Sequence, residues 1–120
     1  TVRDKATVRG DATVRDKAII RDNATVRDNA TVWDKATVRG DATVRGDAEV
    51  ENKSDYIVFK NWWSSGRYFT WTRSNDMWSV GCFYGTGEEL IEKAYNDSDE
   101  SGREYERIVK YVESIKQEFK

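Results

Sequence analysis

The densest set of chemistry-bearing side chains lies between residues 56 and 84, where Trp62, Trp63, Tyr68, Phe69, Trp71 and Trp78 are interleaved with Lys60, Arg67 and Arg73. Aromatic rings beside cations suit two tasks. They build the desolvated hot spot of a protein interface, in which Trp and Arg are enriched, or they stack unpaired bases while the cations hold phosphates. Neither task makes or breaks bonds. The chain has no histidine, so it lacks the side chain best matched to proton transfer near neutral pH. No nucleophile, base and orienting group stand together. Cys82 falls in a run that reads as a buried strand, where a thiol behaves as a small hydrophobe. Glu88 and Glu89 are accounted for by a helix start, and neither phosphate-cradling glycine loops nor metal-ligand spacings are present in the sequence. The expectation is a non-enzymatic binding protein without metal or cofactor. Lys60, Trp62, Trp63, Arg67, Trp71 and Arg73 are its candidate partner contacts, joined by Trp33 from the other half of the chain.

A small domain also needs aromatic residues for its own core. Strand alternation prevents them all from pointing one way, and neighbours such as Trp62 and Trp63 are expected on opposite sides unless a turn intervenes. The runs 56–62, 67–73 and 77–84 alternate as strands, with Ser64-Ser65-Gly66 and Ser74-Asn75-Asp76 as the turns between them. A three-stranded antiparallel meander follows. Thr86-Gly87-Glu88-Glu89 has capping-box spacing ahead of Leu90, Ile91 and Ala94, and Ser101-Gly102-Arg103-Glu104 repeats it ahead of Tyr105, Ile108, Val109, Val112, Ile115 and Phe119. These predict helices over 87–96 and 102–119 that pack on one face of the meander. Residues 55–120 thus form a small α+β domain of βββαα order.

The first fifty-four residues are nine hexads: TVRDKA, TVRGDA, TVRDKA, IIRDNA, TVRDNA, TVWDKA, TVRGDA, TVRGDA and EVENKS. An aliphatic residue holds the second slot throughout, from Val2 to Val50, and a small one follows four places later, from Ala6 to Ser54. Alternation sends these two slots inward and sends Thr and Arg outward, leaving two residues for a corner. The corner pairs are Asp-Lys, Gly-Asp or Asp-Asn, types that tolerate left-handed backbone or bond their own main chain. A short strand and a sharp corner every six residues describe a β-solenoid over 1–54. A tenth hexad would put Tyr56 in the aliphatic slot and Lys60 in the small one, so the repeat ends at Ser54.

V-R-G-D-A-T and its variants resemble the hexapeptide repeat of left-handed parallel β-helices. The resemblance implies a left-handed helix of about three coils, with three hexads to a coil. Stacking then aligns Arg3, Arg21 and Arg39 on one face, Arg9, Arg27 and Arg45 on the next, and Arg15, Trp33 and Glu51 on the third. Acidic residues follow each Arg and Trp33 closely, so the faces read as solvated and self-neutralising. Arg9-Gly10-Asp11, Arg39-Gly40-Asp41 and Arg45-Gly46-Asp47 spell an adhesion tripeptide, but corner geometry accounts for all three. Acyltransferases and carbonic anhydrases built on such helices need histidine, which is missing, and flat Thr-x-Thr ice-binding arrays are interrupted here by Arg.

SDYIVFKN, GRYFTWTRSN and WSVGCFYGTGEELI, following a hexapeptide array, are similar to small proteins of bacteriophages and prophages. That setting implies an inhibitor of a host defence complex, of the anti-CRISPR kind, acting by protein binding in the bacterial cytoplasm. Single-stranded nucleic-acid binding and a structural role in a larger assembly are the alternatives. Residues 1–54 carry eleven Lys/Arg against ten Asp/Glu, and 55–120 carry nine against twelve, so neither half has the basic footprint of a general nucleic-acid binder. One cysteine excludes an internal disulfide framework, and no apolar run reads as a membrane span or signal peptide. The chain begins at Thr1 in full register without a methionine, which carries two expectations for its open end: a missing upstream segment, or pairing with a second copy. Homo-oligomers through the sides of the helix are a further expectation.

Overall fold

The computed structural model describes residues 1–116. In the repeat region the hexads give two-residue strands: β1 Thr7–Val8, β2 Thr13–Val14, β3 Ile19–Ile20, β4 Thr25–Val26, β5 Thr31–Val32, β6 Thr37–Val38, β7 Thr43–Val44 and β8 Glu49–Val50. The first hexad joins through a bridge from Val2 to Ile20. Pairing is parallel, in the orders β1-β4-β7, β2-β5-β8 and β3-β6. Each residue therefore lies beside the one eighteen places on, as Thr7 beside Thr25. The repeats sort into three tiers, 1–18, 19–36 and 37–54, and three ladders.

The corners explain why this register is kept. Asp4, Asp16, Asp22, Asp28 and Asp34 occupy left-handed backbone with φ between 59° and 62°, and Gly10, Gly40 and Gly46 hold the same slot at 68° to 69°. The carboxylates do not bond their own turn, as the sequence suggested. They reach the next tier: Asp4 Oδ2 accepts from the Asp22 N–H at 3.3 Å, Asp22 Oδ2 from Gly40 at 3.1 Å and Asp28 Oδ2 from Gly46 at 3.2 Å. A side chain thus repeats, at the corner, the tier-to-tier bond that the backbone makes in the strands.

Inward-facing Ile20, Val26, Val32, Val38, Val44 and Val50 are fully buried and share one apolar cluster with the alanines. The first tier differs, because no tier covers it. Val2 is 48% exposed there, and Val8 and Val14 are half-buried.

Beyond a 3-10 turn over Lys53–Asp55 come β9 Tyr56–Lys60, β10 Tyr68–Thr72, β11 Met77–Val80 and β12 Phe83–Gly85, an antiparallel sheet in the order β12-β11-β10-β9. It has four strands where three were expected. Gly81, at φ 55°, and Cys82 make a turn that cuts the 77–84 run in two. Cys82 is consequently exposed, not buried in a strand.

Helix α1, Gly87–Asp97, begins as expected: Thr86 Oγ1 accepts from the Glu89 N–H and Glu89 Oε1 accepts from the Thr86 N–H. Helix α2, Asp99–Ile115, begins before the predicted residue 102, because Ser98 is the cap and accepts from the Ser101 N–H at 3.1 Å. That places Gly102 inside the helix, where a side chain would run into the Tyr95 ring of α1. The predicted end of this helix and Phe119 lie outside the described residues.

The sheet is a middle layer. Phe69, Trp71, Trp78 and Val80 pack with Leu90, Ala94, Tyr105, Val109 and Val112 of the helices, while Tyr56 and Val58 pack against the repeat core. On the repeat side, three sheet side chains take over bonds that a fourth tier would have made. Thr70 Oγ1 accepts from the Thr43 N–H at 2.9 Å, Ser74 Oγ accepts from Glu49 N–H at 2.8 Å, and the Tyr56 hydroxyl donates to the Thr37 carbonyl at 3.0 Å. Each of the three ladders receives one of them.

Candidate interaction site

The loop of residues 61–67 positions the exposed aromatic residues. Asn61 is buried and acts as its frame: Oδ1 accepts from the Arg67 N–H at 2.7 Å, and Nδ2 donates to the Tyr105 hydroxyl at 3.3 Å. Trp63 anchors the loop to α2. Its indole N–H donates to Ser101 Oγ at 3.1 Å, and its ring stands edge-on to Tyr105 with centroids 5.0 Å apart. Trp62 contacts Trp63 edge-on at 5.8 Å and is itself 70% exposed. The adjacent tryptophans thus divide the work, one holding the loop and the other facing solvent.

Of the predicted contacts, Lys60, Trp62, Trp63 and Arg67 come together at this end of the sheet. Lys60 Nζ lies 5.7 Å from the centre of the Tyr68 ring, and Tyr68 is exposed. The Arg67 guanidinium lies against Gly81, where a Cβ would meet it. Trp71 does not belong to the surface. It is 0% exposed and its indole N–H donates to Asp76 Oδ1 at 2.8 Å, because its strand position faces the helices.

Arg73 belongs to the junction with the repeats. Its Nε and Nη2 donate to Asp55 Oδ1 at 3.1 and 2.9 Å, and Asp55 Oδ2 accepts from the Glu51 and Asn52 N–H groups. Burial pushes the Asp55 carboxyl upward, but those backbone donors and Arg73 outweigh it and hold the pKa below the ordinary value. Trp33 lies on the repeats, half-buried, with the Arg15 guanidinium 5.3 Å from its ring.

Two concavities flank the sheet. One, of about 490 Å³, runs between the 61–67 loop, the Gly81–Cys82 turn and the helix pair, with Leu90 and Tyr105 among its apolar lining and Arg67 and Lys93 among its cations. The other follows the repeats past Arg3, Arg21, Lys35 and Arg39 to Tyr56. Sequence reasoning did not find Asn61, Ser101 or Tyr105, since their roles arise from contacts distant in the chain. Among the described residues, no group of three or more His, Cys, Asp and Glu is placed to hold a metal ion, and no helix is long and apolar enough to cross a membrane.

The described geometry is that of a parallel-strand repeat region joined to a four-stranded antiparallel sheet and two helices, with an exposed aromatic and cationic loop at one sheet end. In comparisons with protein-family models, curated proteins and solved structures, the chain finds no match in any of the three.

Proposed function

We propose that this chain is a non-enzymatic binding protein that engages a protein partner through Trp62, with Lys60, Arg67 and the edge of Trp63 around it. The observation that carries this is Trp62 itself: a large ring left mostly in water on a loop that Trp63 and Asn61 hold in place. An exposed Trp on a preorganised loop loses little conformational freedom on binding, the property of an interface anchor. The setting, a phage or prophage inhibitor of a host defence complex acting in the bacterial cytoplasm, rests on the sequence resemblance carried by the motifs between Ser54 and Ile91 that follow the hexapeptide array. The finer architecture belongs to the same reading. The three ladders around one apolar cluster support a solenoid of about three coils, whose left hand is what the hexapeptide-repeat resemblance implies, its uncovered first tier free to associate with a second copy.

The test is affinity capture from a bacterial host with the wild-type chain and a Trp62→Ala, Arg67→Ala double variant, with and without nuclease. A partner lost by the variant and insensitive to nuclease supports the proposal. A captured species that disappears with nuclease and weakens steeply with salt would move the reading to single-stranded nucleic acid, with Trp62 and Tyr68 as stacking surfaces. Identical partners for both proteins would remove the loop from consideration and return attention to the outward rows of the repeats.

A further inference from the structure

The sheet's hydrogen-bond parity shows which backbone groups it leaves unused. The β9–β10 register pairs Phe59 with Phe69 and Ile57 with Trp71. The flanking bonds, Arg73 N–H to the Asp55 carbonyl and Asn61 N–H to the Arg67 carbonyl, fix residues 55, 57, 59 and 61 as the ones whose backbone turns toward β10. In an antiparallel ladder the alternate residues turn the other way. The Tyr56 N–H is taken by the 3-10 turn over Lys53–Asp55. The C=O of Tyr56, the N–H and C=O of Val58 and the N–H of Lys60 point out of the sheet. Among the described residues none of them has a partner. All five residues of β9 are at least partly exposed, whereas Phe69 to Thr72 of β10 are buried.

Edge strands of this kind template the addition of another strand unless something blunts them. Here there is no proline, the chain having none, and the one charge on the strand is Lys60 at its end. The opposite edge, β12, is the three residues Phe83–Gly85.

We infer that β9 is a strand-addition site for an extended, acidic segment of a partner protein, which deepens the proposed function by naming how the partner of the Trp62 loop is held. The charges select the occupant. Lys60 closes one end of the edge, followed in the chain by exposed Trp62. At the other end Tyr56 opens onto the concavity lined by Arg3, Arg21, Lys35 and Arg39 against Asp34 and Glu51. A strand with carboxylates at both ends meets cations at both, while its middle bonds Tyr56 and Val58. Alternate side chains of the added strand would face the Ile57 and Phe59 side and the Tyr56 and Val58 side. A second copy of this chain fits less well: a two-fold pairing about Val58 would set Lys60 of one copy beside Tyr56 of the other, where Arg39 already stands.

The probe is a blocked synthetic peptide of alternating Val and Thr flanked by Asp and Glu, compared with a Lys-flanked version and with one N-methylated at alternate backbone nitrogens. Amide exchange is read on the wild-type chain. The expected result is slowed exchange at Val58 and Lys60 with the acidic peptide, with Ile57 and Phe59 protected with or without it, and no effect from the methylated peptide. Val58→Pro removes a donor that the sheet does not use, so the fold is kept while peptide affinity falls about ten-fold, the loss of one or two net backbone bonds. No protection of Val58 by the acidic peptide would overturn the inference, as would equal binding by the Lys-flanked peptide. Concentration-dependent protection without peptide would assign the edge to a second copy instead. In the capture experiment, a partner lost by Trp62→Ala but kept by a folded Val58→Pro variant would leave the loop reading standing and reject strand addition.

Discussion

In the repeat region an aliphatic side chain every sixth residue fills a core in which each meets near copies of itself. In the sheet and helices, Phe69, Trp71, Trp78 and Tyr105 each occupy a place that nothing else in the chain could fill. The two ways of burying apolar surface have different consequences. Translation lets a small set of residue types build a long structure, but it also makes the faces alike, so no point on them is singled out for recognition. The aromatic core requires each ring to find its own neighbours, and in doing so it fixes one loop, residues 61–67, in a geometry that occurs once. The loop proposed for recognition belongs to the irregular half.

The comparison is broken most severely by a charge in the repeated core. Val26→Asp puts an unpaired carboxylate at a fully buried position of the middle tier, and cooperative thermal unfolding should be lost. The same change at Val2, which is 48% exposed, should shift stability by no more than about 0.5 kcal/mol. A Val26→Asp variant that melts like the parent would contradict the shared core. Trp71→Ala empties the irregular core and should cost about 3–5 kcal/mol in denaturant unfolding, with amide protection lost first in the sheet and helices if the two regions unfold separately.

The junction between the regions comes next in size. Asp55→Asn removes the buried partner of an ion pair whose Arg73 side chain is 34% exposed, and should cost about 1–3 kcal/mol at neutral pH. The folded-state pKa of Asp55 lies below its unfolded value. Its contribution is therefore complete above the unfolded carboxylate pKa, near about 4, and is lost as pH falls from there through the folded value. Asp28 shifts in the same direction, first through its bond from the Gly46 N–H. Acid melts should show a steeper loss of stability for wild type than for Asp55→Asn; superimposable slopes would show that the pair does not hold the regions together.

The smallest effect separates corner from contact. Gly40 and Gly46 share left-handed backbone, but a Cβ at Gly40 meets open space and one at Gly46 meets the Tyr84 hydroxyl and ring. Gly40→Ala should cost about 1 kcal/mol from backbone alone, and Gly46→Ala about 1–3 kcal/mol. Equal melting temperatures for the two variants would mean that Tyr84 does not rest on this corner. That docking also accounts for the third adhesion-like tripeptide: the Arg45 guanidinium lies 4.6 Å from the Tyr84 ring, and Asn75 Nδ2 bonds both Asp47 and the Tyr84 hydroxyl.

These asymmetries mark where sequence reading stopped. The hexads displayed their strands, inward slots and corners because each signal recurs eight or nine times. Whether a corner carboxylate bonds its own turn or the next tier is a matter of three-dimensional translation, which no single hexad contains. In the second half, Gly81 sat within an apolar run whose alternation concealed a turn, and the helix start read at Ser101 lay three residues past the cap the structure uses, Ser98. Trp62 and Trp63 lie in the turn after β9 and not on a strand, so the turn and not alternation gives them their different exposure. Trp71 was placed on the surface because the side of a strand that faces the helices is decided by its neighbours there, Leu90 to Val112, which lie far along the chain.

The three side chains that complete the last tier, Tyr56, Thr70 and Ser74, make their hydrogen bonds to Thr37, Thr43 and Glu49 of that tier. The seam is therefore indifferent to how many hexads precede it. Each additional set of three could extend the repeats by one strand spacing, about 4.8 Å, while the aromatic loop and the seam stay as they are. The number of tiers can thus change by duplication alone, without redesigning the seam or the loop.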